Sequence, residues 1–321
     1  MVFGSPSNIW DNLLYLSSAE TSQRFLYEKY EKNKVENPTK MSFENCYPFI
    51  YYIDQGKSFF TNASNAALNI KPILLFYGLS FLIKACLLTT DPHYPDSSQV
   101  LAHGVSTRKR KKQNYSYMED DIKLQKHGLF PHFSDKMFHM KHLDGTKYTI
   151  EMILKEIPEL ASFLSNWDST FRKIEVPILG AGKFKLTDEI LDTFKMTKDR
   201  MLHFLQEKSN APIHIQKTDL SFDFFIDEKP LEHIELLPFR FDIEDQKYYI
   251  FNRVSELSFF NELTIHYLIL FHLSMIARYE VEWWSELLYQ KPGIEYPLIV
   301  RYLTIAEKKV PFLINQYLFS I

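Results

Sequence analysis

Glycine and cysteine are both scarce in this chain. Nine glycines in 321 residues leave no glycine-rich phosphate loop and argue against a loop-built nucleotide fold. Cys46 and Cys86 are the only cysteines, too few for a disulfide framework, so a reducing, cytoplasmic compartment is expected. There is no His-Glu-x-x-His frame and no cysteine cluster, so neither a metal nor a resident cofactor is expected. His139 and His142 are three apart and would share a face only if they lay on one helix. No Ser/His/Asp frame, internal repeat or low-complexity tract is visible. No apolar run reaches the roughly 20 residues a bilayer requires. Ile73–Leu88 carries Lys84, and Leu263–Ala277 carries His266 and His272. Both read as buried core helices, and no membrane contact is expected. Met1–Asn12 has no basic or apolar leader segment, so no signal peptide is expected.

What is present is a globular composition: 45% hydrophobic, 24% charged and 16% aromatic residues. A net charge of -3 and a pI of about 6.4 give no whole-chain attraction to nucleic acid, so any such case rests on a local patch. One patch exists. Arg108–Lys112 are five consecutive basic residues, and Val105–Lys126 holds seven Lys/Arg against three acids, with Tyr115 and Tyr117 between the charges. Lysine and arginine hold phosphate while rings stack on bases; a solvated loop has the same composition. Six of the eleven histidines lie between His93 and His142, and His103 and His127 each precede a glycine. That pairing suggests backbone turns presenting an imidazole.

Along the chain, Ser7–Tyr30 reads as a helix, Val35–Asn45 as a loop, and Cys46–Phe60 as the start of another helix. Pro72–Leu88 is the apolar helix on which the rest is organised. Pro72 sits in its first turn, and Leu74, Leu75, Gly78, Leu79, Leu82, Ile83 and Cys86 form one face. Gly78 suggests close helix packing, and Lys84 is the single charge in the run. Thr149–Trp167 reads as a helix interrupted at Pro158, Phe171–Leu186 as extended, and Thr187–Lys208 as an amphipathic helix capped by Thr187. Pro212–Gln216, Phe222–Ile226 and Ile234–Phe239 look strand-like, and Arg240–Ile243 with Tyr248–Asn252 reads as a hairpin. Asn261–Arg278 and Leu298–Phe319 return to helix. The expected class is mainly α (α+β). The expected parts are an N-terminal helical part (1–148), a mixed α/β insertion (149–254) and a C-terminal helical part (255–321) packing on the first.

The segments PILLFYGLSFLIKACLL, LAHGVSTRKRKKQNYSYMEDDIKLQKHGLFPHF and LILFHLSMIARYEVEWW resemble the bacterial YaaC-like family. The helices also resemble the wider HEPN group of nucleotide- and RNA-associated helical domains. There, an apolar helix ending in Lys-Ala precedes a loop and a His, as Lys84, Ala85 and His103 do, and a later helix carries Arg-Tyr, as Arg278–Tyr279 do. The resemblance implies one discontinuous bundle with the α/β middle inserted. HEPN ribonucleases follow their Arg with a His on the same helix end; after Arg278 this chain reads Tyr-Glu-Val-Glu-Trp-Trp. That departure leaves the ribonuclease mechanism without its histidine.

Three functional readings follow. The first is a binding module holding a nucleotide or RNA through Lys84, Arg108, Lys109, Arg110, Lys111, Lys112, Tyr115, Tyr117, Lys123 and Lys126, with His103 and Arg278. The second is a metal-independent nuclease or nucleotide-processing enzyme, with His103 or His127 as general base and Arg278 steadying developing charge. The third is a stress or defence component that meets a protein partner, or a second copy of itself, through Trp283 and Trp284.

Overall fold

The structure is a computed structural model that describes residues 9–108, 115–180, 183–208, 213–217, 222–226, 236–291 and 293–319. The N-terminal elements are α1 (Ile9–Tyr15), α2 (Ala19–Lys32), α3 (Pro38–Ser64), α4 (Lys71–Thr90), β1 (Val105–Ser106), β2 (Asp121–Leu124), α5 (Leu129–Phe138) and β3 (Lys147–Thr149). The middle holds α6 (Ile150–Leu154), α7 (Ala161–Trp167), β4 (Lys173–Val176), β5 (Ile178–Gly180), β6 (Lys183–Lys185), α8 (Asp188–Phe194), α9 (Lys198–Lys208), β7 (Ile213–Lys217), β8 (Phe222–Ile226), β9 (Arg240–Asp242) and β10 (Lys247–Phe251). The chain closes with α10 (Glu262–Tyr279), α11 (Val281–Gln290) and α12 (Glu295–Phe319). The class is mainly α with small antiparallel sheets. Two compact units result, Met1–Glu151 with His266–Ile321, and Met152–Ile265.

The first unit is a helical bundle. Helices α3 and α4 pack closely, brought together by missing side chains. A Cβ on Gly56 would sit 2.6 Å from the Leu82 side chain, and one on Gly78 would sit 2.8 Å from the Phe60 ring. The close packing expected at Gly78 is present. Helix α4 is long and apolar enough to cross a membrane, but 67% of its apolar window is buried inside the fold. An aromatic cluster joins α4, α5 and α10. Phe76 stands edge-on to Tyr267 at 5.3 Å and to Phe271 at 5.6 Å, and Phe133 lies 5.3 Å from Tyr267. Each such ring buried contributes roughly 1.5–3 kcal/mol.

The second unit packs β4-β10-β9 and β5-β6-β8-β7 with α8 and α9. Ile174, Leu202, Leu205, Phe239 and Ile250 lie in its apolar core. Within it Arg240 is fully buried and ion-paired to Glu156 at 3.2 Å, and it also donates to the carbonyls of Phe260 and Leu257. Ser255 and Ser258 donate to Glu156. Burial raises the Glu156 pKa above the usual carboxylate range against the pull of Arg240.

Several local expectations need correction. Ser7–Tyr30 is not one helix: Ser18 interrupts it and caps α2, accepting from Thr21 N at 3.2 Å. Residues from Pro38 onward are helical, since proline at a first turn starts a helix rather than forming a loop. Thr187–Lys208 splits because Lys195 turns left-handed at φ 50°, while Thr187 does cap α8. Thr149–Trp167 is divided into β3, α6, a 3-10 turn at Pro158–Leu160, and α7. Leu236–Phe239 forms no strand. Helix α5 stops at a left-handed His139, so His139 and His142 share no helical face. The basic segment itself carries a small sheet, β1-β2-β3, which lay unseen because its strands are so short.

Candidate functional site

The two His-Gly pairs meet. Gly104 at φ 78° and Gly128 at φ 128° cross so tightly that a Cβ on Gly128 would lie 2.3 Å from both Cα and N of Gly104. Such φ values favour glycine, and the contact leaves no room for any side chain. Around the crossing, Leu129 N donates to Ala102 O at 2.6 Å, Phe130 N to His103 O at 3.1 Å, and Gln125 N to Gly104 O at 3.0 Å. The Tyr267 hydroxyl donates to His103 O at 2.9 Å. His103 is therefore held by its backbone, and its ring rests on Phe76 (5.1 Å), Phe271 (5.5 Å) and Tyr77 (6.5 Å).

Two cations share this neighbourhood. Arg278, in the last turn of α10, donates to Ser274 O at 3.1 Å and to the Tyr77 hydroxyl at 3.3 Å. Lys84 lies half-buried with its ammonium 5.1 Å from the Phe81 ring centre and 5.9 Å from that of Tyr52. Burial lowers the Lys84 pKa. Burial, then the charges of Arg278 and Lys84, lower the pKa of His103. Its imidazole is neutral near pH 7, and its ring nitrogens have no hydrogen-bond partner among the described residues. Tyr77, Phe81 and Lys84 follow one another at i, i+4 and i+7 on α4. Phe59 stacks on Phe81 at 5.6 Å, and Tyr52 lies 6.3 Å from it.

The electrostatic contrast within the unit is plain. Lys71 pairs with Glu307 at 2.8 Å, Lys147 with Asp121 at 3.1 Å, His132 with Asp91 at 2.9 Å and buried His272 with Asp120 at 2.7 Å. Lys84, His103 and Arg278 have no carboxylate at ion-pair distance among the described residues. Three cationic or protonatable groups thus converge on a half-buried aromatic face with no carboxylate at ion-pair distance among the described residues. A half-buried charge without a partner carries a desolvation cost, and an anion offsets it.

The other candidates lie elsewhere. Lys123, Lys126 and His127 are exposed and share no hydrogen bond or ion pair with Lys84, His103 or Arg278 among the described residues. Arg108 is exposed just after β1; Lys109, Arg110, Lys111 and Lys112 lie outside the described residues. Tyr117 is 0% exposed, its ring 5.5 Å from His272 and its backbone N donating to Glu295 at 2.7 Å. That ring is closed to a base. Tyr115 donates to Asp120 at 2.9 Å and stands edge-on to Trp283 at 4.8 Å; burial and Asp120 raise its pKa strongly. Both tyrosines fasten the chain that leaves the basic run. Trp284 is buried and donates to Asn69 O at 3.2 Å, so it offers no surface.

Tyr52, Phe59, Tyr77 and Phe81 are absent from the candidates drawn from sequence. Their signal was available: the stripe 77-81-84 lies opposite the apolar face of α4, but only that apolar face was assigned.

No curated protein and no solved structure shows significant similarity to the chain. The sequence model of the YaaC-like protein family matches residues 14–318, and with the match covering nearly its whole length, this protein belongs to the YaaC-like family.

Proposed function

We propose that Lys84, His103 and Arg278 hold the phosphate of a nucleotide or RNA, with the Tyr52, Phe59, Tyr77 and Phe81 face beside it for a base. The observation that carries this reading is the convergence of three positively charged or protonatable groups with no carboxylate at ion-pair distance among the described residues, in a unit where Lys71, Lys147 and buried His272 each have one. Arginine supplies a planar donor fork and lysine a point charge, the two complementary ways of holding phosphate. A neutral imidazole with open nitrogens adds a group that gains a proton, and a positive charge, as an anion arrives. In this reading the basic run from Arg108 steers polyanions electrostatically.

A second reading, cleavage of a phosphodiester, is favoured by one feature: His103 is neutral at physiological pH beside Arg278, as a general base beside a charge-stabilising group would be.

The test begins with gentle purification, the 260/280 absorbance ratio, and mass spectrometry of whatever co-purifies. A nucleotide or RNA carried by the wild type and lost in Lys84→Ala supports the site. Wild-type protein free of ligand, and showing no affinity for nucleotides or oligonucleotides by titration, overturns it. Hydrolysis of a labelled oligonucleotide that vanishes in His103→Ala while binding persists favours the catalytic reading.

A further inference from the structure

One i, i+4 row of α3 runs Phe43, Tyr47, Tyr51, Gln55, Phe59. It is aromatic at four of five positions. The outer three rings are exposed, Phe43 at 66%, Tyr47 at 54% and Tyr51 at 61%, whereas Phe59 stacks on Phe81 within the cationic face. Tyr52, the neighbour of Tyr51, lies beside Lys84. Exposing three large rings in one line on a helix has a cost in water, and among the described residues no element covers them. Contiguous exposed apolar surface of this kind marks a binding surface.

We propose that this row extends the phosphate site into a track for a single-stranded polynucleotide, with successive bases stacking on Tyr51, Tyr47 and Phe43. The proposal rests on the reading of Lys84, His103 and Arg278 as a phosphate site. Three features select this occupant. The row leads to that site, ending one turn past exposed Gln55 in Phe59, one of the site's own rings. The row spans about 24 Å from Phe43 to Phe59 at 1.5 Å per residue, longer than a mononucleotide needs. Its repeat also fits: the Tyr47 and Tyr51 ring centres are 6.1 Å apart, wider than the roughly 3.4 Å step of a duplex strand. Bases meeting these rings must be unstacked from each other, which a single strand permits and a duplex does not. Stacking on aromatic rings is tolerant of sequence, because every base has a π face. Lys40 sits 3.8 Å from Glu44 beside the row, so the outer track adds stacking, with the unpaired charge left at the Lys84 end.

The experiment compares fluorescein-labelled hexauridylate and diuridylate by anisotropy, on the full chain and on surface variants that keep the wild-type circular dichroism spectrum. Wild type binds the hexamer more tightly than the dimer. Tyr47→Ala and Tyr51→Ala each weaken the hexamer roughly 5- to 150-fold and leave the dimer unchanged, while Lys84→Ala weakens both. Equal affinity for the two lengths, or a length preference that survives Tyr47→Ala with Tyr51→Ala, overturns the track and leaves the phosphate site standing. A hexamer duplex bound as tightly as the single strand also overturns it. No binding of either length by wild type removes the phosphate site and the track together.

Discussion

Replacing Gly128 by alanine is the sharpest structural perturbation of the site, because it strikes the crossing that places His103. Two costs add. Gly128 has φ 128° and ψ -178°, a region essentially closed to other residues and worth about 1–3 kcal/mol. The new Cβ would also lie 2.3 Å from Gly104 Cα and N. Those are backbone atoms, unable to swing aside, so the strands of the crossing must separate, which costs a further 1–3 kcal/mol or so. The expected total is about 2–6 kcal/mol. Gly145 supplies the control. Its φ is 85°, but the nearest atom to its Cβ is the Lys123 Cε at 3.6 Å, the far end of a flexible chain. Gly145→Ala therefore reports the backbone cost alone, roughly 1–2 kcal/mol. Urea unfolding followed by tryptophan fluorescence measures both, since Trp10, Trp283 and Trp284 lie in the first unit. Equal destabilisation by Gly128→Ala and Gly145→Ala would refute the argument, because it would mean that the crossing is not in contact.

His103 should titrate below the ordinary imidazole value of about 6.5 in the free protein, because burial and the charges of Arg278 and Lys84 lower its pKa. A bound phosphodiester favours the imidazolium, so NMR titration should show that pKa rising on binding; affinity then increases as pH falls from the raised bound-state value toward the free-state value. An unmoved pKa places the ligand elsewhere. Arg240→Met leaves Glu156 buried without its partner and should cost roughly 3–5 kcal/mol. The cost should shrink as pH falls and Glu156 takes up a proton, and a pH-independent loss in urea unfolding would contradict this. Gly78→Leu should unfold or loosen the bundle, since even a Cβ meets the Phe60 ring at 2.8 Å; hydrogen exchange faster than wild type in α3 and α4 is the expected signature.

Much of the first unit is legible in the sequence because its signals are long and periodic. Helices α4, α10 and α12 follow from apolar runs that exceed any strand, and Gly78 announces its own contact. Boundaries fail where a single residue decides them. Ser18 and Lys195 break helices that the apolar pattern carries straight through, and Pro38 begins α3 in a stretch whose polar composition reads as a loop. The site was half legible. Lys84, His103 and Arg278 come together as the chain's few charges near apolar helices and as parts of the family resemblance. Tyr115 and Tyr117 show why the other half was not: a tyrosine among lysines reads as an exposed stacking ring, but Glu295 and Trp283 on distant elements draw the pair inward. Only the fold brings those partners into reach.

The most direct measurement of the central claim is the salt dependence of diuridylate affinity for wild type and Lys84→Met. For single strands, each neutralised phosphate contact contributes about -0.7 to the slope of log affinity against log salt. With the one phosphate of diuridylate held, the slope should be about -0.7, a loss of roughly 2.6-fold between about 50 and 200 mM salt, and Lys84→Met should flatten it. A slope unchanged by Lys84→Met, or binding indifferent to salt, would contradict a phosphate site built on Lys84, His103 and Arg278.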